Sequence, residues 1–447
     1  MTVTSRSISK AADAEAIAEI RAALSNVIPR PQLGWVRAVS ATVVHVALGD
    51  APIGAICRIG SRPYAILAEV IATSADTAIL SPYGGTVGLS GGTLVTVIDT
   101  CQRVAVGDAL LGRVLDGLGR PIDGAPVPVT TALRPIRADA PDPLTRPLIE
   151  ERLHSGLRAI DAFTPLGRGQ RMAILGPPGA GKSGLLSALA ANCDVDAVVI
   201  AMVGERGREV REFIEVALPA EKRDRAVVIV ATSDRPPSER VACVHTATTI
   251  AEDMRARGKS VLLLVDSLTR VARALREIGL AAGEPPTRRG YPASVYAALP
   301  AIVERAGTAG EGAITALYTV LVEGDGEGDP IAEEVRSLTD GHISLDAAIA
   351  ARGRYPAIDI LNSLSRLATA ISETEDLDRA REARKLLAKY NEIELLLQIG
   401  EYEAGSDAVA DRAIATHDPL DTFLSQPLSE GACSMQATRA GLTKVLS

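Results

Sequence analysis

The sequence predicts an α/β domain with a parallel sheet, preceded by a small N-terminal β barrel and followed by a C-terminal helical domain. Apolar runs alternate with helical stretches between about residues 150 and 370, as buried parallel strands do. Short strands alternate with turn residues between residues 35 and 98, which is typical of a small barrel or sandwich. Beyond residue 370 the apolar pattern is helical. The predicted boundaries are 1–30 for an N-terminal helical segment, 31–100 for the barrel, 101–370 for the α/β domain and 371–447 for the helical domain.

The composition fits such a core. The chain has 447 residues, of which 47% are hydrophobic and 23% charged, as in ordinary globular proteins. One Trp, eight Tyr and three Phe leave the core to Ala, Val, Leu and Ile, which suit helices packed closely on parallel strands. The strands of the α/β domain are predicted at residues 171–175, 197–203, 226–231, 260–265 and 315–322.

Charge and cysteine content exclude several classes of protein. The net charge is −8 and the sequence has no basic block, so nucleic acid is not expected as a partner. Five cysteines without a CxxC pair exclude a disulfide framework and the usual zinc patterns, and we expect buried thiols in a reducing cytoplasm. No segment is apolar enough for a signal peptide or a membrane span, so we expect a soluble protein.

Two segments outside the α/β domain have recognisable patterns. Residues 8–28 predict a helix with one apolar face, which packs on the protein itself or contacts a partner or a membrane. Residues 106–124 are dense in Gly and Asp, and residues 125–147 are rich in Pro without a clear period. This composition predicts an extended connector on the surface.

A phosphate-binding loop follows the first predicted strand of the α/β domain, residues 171–175. The segment GPPGAGKS fits the Walker A pattern GxxxxGK[ST] and lies between a strand and a helical run, as the motif requires. Its backbone N–H groups and the helix N-terminus attract phosphates, its lysine reaches the β- and γ-phosphates, and its serine hydroxyl binds Mg²⁺. We therefore expect ATP and Mg²⁺ here, with nucleotide contacts from Gly176, Gly179, Ala180, Gly181, Lys182, Ser183 and Gly184.

Two carboxylates follow later strands of the predicted sheet. Asp266 ends the run at 260–265, and the carboxyl ends of parallel strands face the ligand crevice, so Asp266 is expected to hold Mg²⁺ through water. Glu205 follows the run at 197–203 and could polarise the water that attacks the γ-phosphate. It could equally be an exposed glutamate paired with Arg206 or Arg208, and spacing alone leaves both possibilities open.

Longer segments resemble a known family. They read GERGREVREF, DSLTRVARALREIGLAAGEPPTRRGYPASVYAALPAIVERAG and DPIAEEVRSLTDGHISLD. With them the chain closely resembles the type III secretion ATPases of the bacterial injectisome, which are related to the flagellar export ATPase and to the catalytic subunit of rotary ATP synthase. The resemblance runs from about residue 30 to 430 and implies a RecA-like P-loop domain.

The resemblance also implies roles for single residues. Glu205 is then the catalytic carboxylate that orients water, beside Lys182. Arg366, in ILNSLSR, matches an arginine finger that reaches the neighbouring subunit's site, where such a group raises the rate by about 10³–10⁵. Without the resemblance it would be interpreted as a surface arginine on a helix. Tyr355, in GRYPAID, matches a residue that stacks on adenine, with core packing as the alternative, and Arg206 contacts the γ-phosphate or pairs with a neighbouring acid.

The resemblance implies partners as well. They are further copies of the chain in a homohexameric ring, a central stalk protein, a peripheral regulator of the export apparatus and chaperone–substrate complexes. The secretion machinery would bring the protein to the cytoplasmic face of the inner membrane as a peripheral component. Loops 283–292 and 323–330 would face the central channel of the ring, unless they are ordinary solvated loops.

The sequence is compatible with three candidate functions. The leading one is an ATPase motor that releases chaperones from secreted proteins and unfolds or feeds them to an export gate. A flagellar export ATPase or a rotary ATP synthase catalytic-type subunit is the second, and the segment REIGLAAGEPPTRRGYP favours the injectisome over the flagellar branch. The third is a ring-shaped RNA translocase, which the few aromatic and basic residues of the barrel segment disfavour.

Overall fold

A computed structural model describes residues 32–61, 63–129, 132–322 and 328–447. The predicted helix over residues 8–28 and residues 323–327 of the second predicted channel loop lie outside this part of the chain. The chain divides between Gln102 and Arg103 into two compact units.

The N-terminal unit contains a closed barrel of six antiparallel strands in the order β1-β2-β5-β4-β3-β6. Side chains alternate between the barrel interior and the surface, so that Val36, Val44 and Val46 are buried while Trp35 is 52% exposed. The predicted β barrel is therefore confirmed. Its strands are β1 Leu33–Val39, β2 Val44–Ala47, β3 Ile56–Ile59, β4 Ile66–Thr73, β5 Ala78–Pro82 and β6 Leu94–Asp99.

The larger unit is built on a nine-stranded sheet in the order β19-β18-β12-β17-β15-β13-β14-β8, with β16 paired to β17. All neighbours in this order pair in parallel except β19, which is antiparallel to β18, and β16 is antiparallel to β17. The sheet strands are β8 Val114–Asp116, β12 Arg171–Gly176, β13 Ala197–Val203, β14 Ala226–Ala231, β15 Ser260–Asp266, β16 Gly307–Ala309, β17 Gly312–Leu321, β18 Gly341–Leu345 and β19 Ile358–Ser365. The predicted parallel sheet is confirmed.

Four further strands form two small antiparallel pairs outside this sheet. They are β7 Arg103–Val106 with β9 Ala132–Pro135, and β10 Arg152–Leu153 with β11 Leu166–Gly167. The predicted extended connector over residues 106–147 contains two strands that were not predicted, because β8 joins the edge of the large sheet and β9 pairs with β7.

Helices cover both faces of the large sheet, which explains why β13 is buried along its whole length. Even-numbered residues such as Val198 and Ile200 pack with Leu185 and Leu189 of one helix, whereas a long helix over residues 237–256 covers the opposite face. The helices are α1 Arg158–Phe163, α2 Lys182–Asn192, α3 Gly207–Glu212, α4 Ala220–Arg223, α5 Pro237–Ala256, α6 Leu268–Ala281, α7 Ala293–Val303, α8 Pro330–Leu338, α9 Ala347–Ala351, α10 Ala368–Ile371, α11 Thr374–Ile399, α12 Ala408–Leu424 and α13 Met435–Leu446.

The last three helices pack on one another and on α1, which confirms the predicted C-terminal helical region. Arg158 of α1 fixes the end of α12 by donating to the carbonyl oxygens of Phe423, in its last turn, at 2.8 Å and of Ser425, just after it, at 2.6 Å. Within the described ranges, no helix combines the length and apolar character needed to cross a bilayer. The five cysteines are free, and two of them, Cys101 and Cys433, are partly exposed rather than buried as expected.

Candidate active site

The phosphate loop leaves the sheet at the carboxyl end of β12 and enters α2. Gly179 and Gly181 both have φ of 83°, a left-handed backbone that favours glycine and lets the loop turn sharply. The ammonium of Lys182, the first residue of α2, donates to the carbonyl oxygens of Gly176 at 2.6 Å and Pro177 at 2.8 Å. Ala180 is buried, and Ser183, the second residue of α2, is exposed. The loop thus surrounds the lysine and presents the serine hydroxyl at its rim.

Tyr355 lies directly against this loop. A Cβ atom on Gly181 would stand 3.2 Å from Cε1 of the tyrosine ring, so any larger residue there would press on the ring. The ring is 46% exposed, which contradicts the alternative that Tyr355 is a core residue. Its main-chain carbonyl accepts a hydrogen bond from the N–H of Gln426 at 2.8 Å. An exposed aromatic face beside a phosphate loop is available for stacking on a base.

Lys182 is nearly buried, and two carboxylates lie near its ammonium group. Burial lowers the pKa of Lys182 to about 8, while the charges of Asp266 and Glu205 oppose this shift. Arg270 lies in the same pocket, so its two basic side chains face two acidic ones.

Asp266 stands at the end of β15, as its position in the sequence predicted. Its Oδ1 accepts a hydrogen bond from the Thr319 hydroxyl of β17 at 2.6 Å, which fixes the carboxylate orientation. The side chain is nearly buried, and burial raises the pKa of Asp266. Thr319 escaped the sequence analysis, because only the pairing of β17 with β15 brings it to Asp266.

The oxygen donors of this pocket suit Mg²⁺. Ser183 offers a hydroxyl and Asp266 a carboxylate, and Mg²⁺ takes few protein ligands with water and phosphate oxygens as the rest. The described residues contain no group of three or more His, Cys, Asp and Glu arranged to hold a metal alone. An ion bound here must therefore complete its coordination with water and nucleotide oxygens.

Glu205 is held by an arginine that the sequence analysis missed. Arg270 of α6 approaches its carboxylate with two nitrogens, Nε at 2.9 Å from Oε1 and Nη2 at 3.0 Å from Oε2. A third nitrogen, Nη1, donates to the carbonyl oxygen of Gly204 at 2.5 Å. The alternative of an exposed glutamate paired with Arg206 or Arg208 is wrong, because Glu205 is only 9% exposed and pairs with Arg270. The one available signal was the position of Arg270, four residues after Asp266 and in the first turn of the following helix.

The surroundings of Glu205 raise the pKa of its carboxyl group. Burial raises the pKa of Glu205 first, the charge of Asp266 raises it further, and Arg270 opposes both effects. A carboxyl group whose pKa moves toward neutrality is suited to accept or orient a proton at physiological pH.

The other two arginines of the predicted site lie elsewhere. Arg206 has an 80% exposed side chain and pairs with Glu209 at 3.3 Å, so its contact with phosphate stays a prediction. Arg366 directly follows β19, so the interpretation as a helical residue is wrong. Its N–H donates to the carbonyl oxygen of Asp340 at 2.9 Å, and its Nη2 to that of Arg336 at 3.5 Å. Among the described contacts, none joins Arg366 to Lys182, Glu205 or Asp266.

A cavity of about 600 Å³ lies beside the phosphate loop. Its lining includes Pro177 of the phosphate loop and, from α8 and β18, Arg336 and His342. Burial lowers the pKa of His342, and the positive charges of Arg336 and Arg366 lower it further. Arg366 is therefore near Arg336 and His342, and the lining of the cavity also includes the acidic residues Asp346 and Asp359.

These features define the class of protein. A parallel sheet with a glycine-rich loop before a helix, a buried aspartate at the end of β15 and a buried glutamate after β13 form a P-loop nucleotide hydrolase. The family model described as "ATP synthase alpha/beta family, nucleotide-binding domain" matches residues 156–365. The model described as "T3SS EscN ATPase C-terminal domain" matches residues 372–444.

The chain belongs to the family of type 3 secretion system ATPases, and it is an ATP-hydrolysing enzyme. The type 3 secretion system ATPase of Xanthomonas euvesicatoria is 51% identical over 399 residues, covering 89% of this chain and 90% of that protein. The flagellum-specific ATP synthase of Bacillus subtilis is 44% identical over 88% of this chain and 90% of that protein. The higher identity to the secretion ATPase confirms the leading assignment.

Solved structures agree with this assignment. The assembled ATPase EscN of the enteropathogenic E. coli type III secretion system matches with a TM-score of 0.88 and 43% identity, over 93% of this chain and 100% of that chain. EscN in complex with its central stalk EscO matches with a TM-score of 0.85 and 42% identity, over the same shares of the two chains.

Proposed function

We propose that this chain hydrolyses ATP at sites shared between neighbouring subunits of a homohexameric ring. Hydrolysis there drives chaperone release, unfolding and export of secreted proteins. The observation that carries the proposal is the division of the charged groups. Lys182, Glu205 and Asp266 share one buried pocket, whereas Arg366 lies on a separate exposed surface.

Within one subunit, the loop residues Gly176, Gly179, Ala180, Gly181 and Gly184 approach the phosphates with their main chain. Lys182 exchanges its loop carbonyls for β- and γ-phosphate oxygens, which restore the charge balance that burial disturbs. Ser183 and Asp266 hold Mg²⁺, directly and through water. When bound, the ion would neutralise the negative charge that develops on the transferring phosphoryl group. Tyr355 stacks on the adenine.

Glu205 orients the attacking water in this proposal. The raised pKa makes the Glu205 carboxylate a stronger base, which takes a proton as the water attacks. Arg270 fixes the orientation of this carboxylate through its ion pair. Arg206, exposed and next in the chain, is a secondary candidate for the γ-phosphate.

Arg366 completes the neighbouring subunit's site. The hydrogen bond from the Arg366 N–H to Asp340 fixes the main chain from which this exposed side chain extends. The assembled form of EscN and its complex with the stalk EscO support a ring and a central stalk partner for this chain. The peripheral regulator, the chaperone–substrate complexes and the position at the cytoplasmic face of the inner membrane are part of the same proposal. The predicted domain boundaries at residues 30, 100 and 370 also stay predictions.

Mixing two inactive variants tests the shared site. Arg366→Ala removes the finger and leaves the pocket intact, while Lys182→Ala removes the pocket and leaves the finger. We expect each variant alone to lack ATPase activity and the mixture to regain part of it. The measurement is phosphate release after co-assembly, with mixed rings verified by cross-linking of differently tagged chains. Mixed rings without activity would contradict a finger acting between subunits.

A further inference from the structure

The strand that leads to Arg366 contains a wide bulge. On one side of the bulge His342 faces Leu364, and on the other side Ser344 faces Asp359. Residues 360–363 of β19 therefore stand opposite Ile343 alone, and the regular ladder is interrupted over this stretch. Bulges of this kind change the direction in which the following side chains point.

Side chains replace the missing hydrogen bonds of the bulge. The Asp359 carboxylate accepts from the N–H groups of Leu361 at 2.9 Å and Asn362 at 3.2 Å. The Ser363 hydroxyl accepts from the N–H of Ser344 at 2.9 Å, which rejoins the bulge to β18. The amide side of the bulge is therefore satisfied from within the β18–β19 pair.

The carbonyl oxygens of Asp359 and Asn362 accept from the Ser363 and Ser344 hydroxyls, whereas two others are bound from outside the sheet by the C-terminal helix α11. Arg384 donates from Nε to the carbonyl oxygen of Ile360 at 3.0 Å and from Nη2 to that of Ser363 at 3.3 Å. It also donates to the carbonyl oxygen of Phe163 at 2.9 Å, and its guanidinium carbon lies 5.8 Å from the centre of the Phe163 ring. One planar group thus holds both ends of the bulge against α1.

We infer that Arg384 is a positioning residue for Arg366, so that helix α11 determines where the finger points. Arg366 comes three residues after Ser363 and is fixed on its other side by the carbonyl oxygen of Asp340. A movement of α11 changes the bulge and displaces the finger from the neighbouring subunit's site. The C-terminal helical region thereby controls hydrolysis in the next subunit. This inference rests on the proposed role of Arg366.

The test is complementation between variants. Arg384→Ala leaves its own pocket intact and misplaces its finger, so its ATPase rate alone should fall about 100-fold, as misplacement by about 1 Å does. Its affinity for ATP should stay unchanged. Mixed with Lys182→Ala it should regain activity to the extent that Arg366→Ala does, because the partner chain supplies a correctly held finger. Mixed with Arg366→Ala it should regain none.

Two further variants separate positioning from loss of fold. Arg384→Lys keeps one donor, so it should lose less activity than Arg384→Ala and show the same complementation. Arg381→Ala, on the same helix with a 76% exposed side chain, should leave the rate unchanged. An active Arg384→Ala, or one that Lys182→Ala does not rescue while it rescues Arg366→Ala, overturns the inference. If Lys182→Ala rescues neither variant in verified mixed rings, the shared site itself fails and the inference fails with it.

Discussion

The guanidinium of Arg270 and the carboxylate of Glu205 form a two-point ion pair, with N–O distances of 2.9 and 3.0 Å. Because Arg270 also binds the carbonyl oxygen of Gly204, it joins the end of β13 to α6, the helix that starts after Asp266. The carboxylates of Glu205 and Asp266 are therefore positioned by two adjacent strands, β13 and β15, which Arg270 of α6 links.

Glu205→Gln should abolish turnover and preserve ATP binding. The amide keeps the size of the side chain but cannot take a proton from water, and loss of a general base costs about 10²–10⁴ in rate. Phosphate release and equilibrium binding of ATP measure the two effects separately. Glu215→Gln, which removes an exposed carboxylate paired with Arg211, is the matched control and should keep full activity. Undiminished hydrolysis by Glu205→Gln would remove this residue from the mechanism.

Arg270→Met should destabilise the fold and slow catalysis. It leaves the nearly buried Glu205 without its partner, which should lower the free energy of unfolding by about 2 kcal/mol. The double variant Arg270→Met with Glu205→Gln should recover part of this loss, because a neutral amide tolerates burial better than an unpaired carboxylate. Denaturant unfolding of the four proteins gives the coupling energy. A coupling near zero would show that the ion pair does not contribute to stability.

Glu239→Gln should stabilise the protein at neutral pH and not at pH 4. Glu239 of α5 is 1% exposed, and burial raises its pKa above the ordinary value of 4.5, helped by the charge of Asp116. A carboxyl group with a raised pKa binds a proton in the folded state, so its contribution to stability is complete below pH 4.5 and lost as the pH rises through the folded pKa. Melting temperatures of both proteins between pH 4 and 8 check the difference. A constant difference over this range would contradict the titration of Glu239.

Gly184→Ala should stabilise the free protein and weaken ATP binding. A Cβ atom at Gly184 would meet nothing within 4 Å, and alanine is about 1 kcal/mol more favourable than glycine inside a helix. No neighbouring protein atom requires glycine at this place, so we expect that the bound nucleotide does. Gly181→Ala is the comparison, since there the Cβ would press on Tyr355 and φ is 83°, so both stability and binding should fall. Unchanged ATP affinity in Gly184→Ala would exclude Gly184 from the binding loop.

Sequence patterns were sufficient where one stretch of chain carries the whole signal. The loop from Gly176 to Ser183 and the strands β13, β14 and β15 are of this kind, because a motif or a run of apolar residues defines each. β18 and β19 were not predicted, since polar residues such as His342 and Asn362 interrupt their apolar pattern. β8 has only three residues, too few for any period to show.

The partners of the site residues could not be predicted for a different reason. Thr319 reaches Asp266 and Arg270 reaches Glu205 only because strands distant in sequence are adjacent in the sheet. Arg384 reaches β19 from a helix that a hydrophobic pattern identifies but does not orient. Tertiary hydrogen bonds of this kind have no fixed sequence spacing, so local patterns contain no signal for them.

The contact between Gly181 and the Tyr355 ring has a practical consequence for spectroscopy. The sequence contains one tryptophan, Trp35, which lies in β1 of the N-terminal barrel, so residues 103–447 contain none. A Tyr355→Trp exchange would therefore place the sole indole of the larger unit against the phosphate loop. With Trp35→Phe in the same chain, tryptophan fluorescence would come from the nucleotide site alone, and each arrival and departure of ATP could be followed without a label.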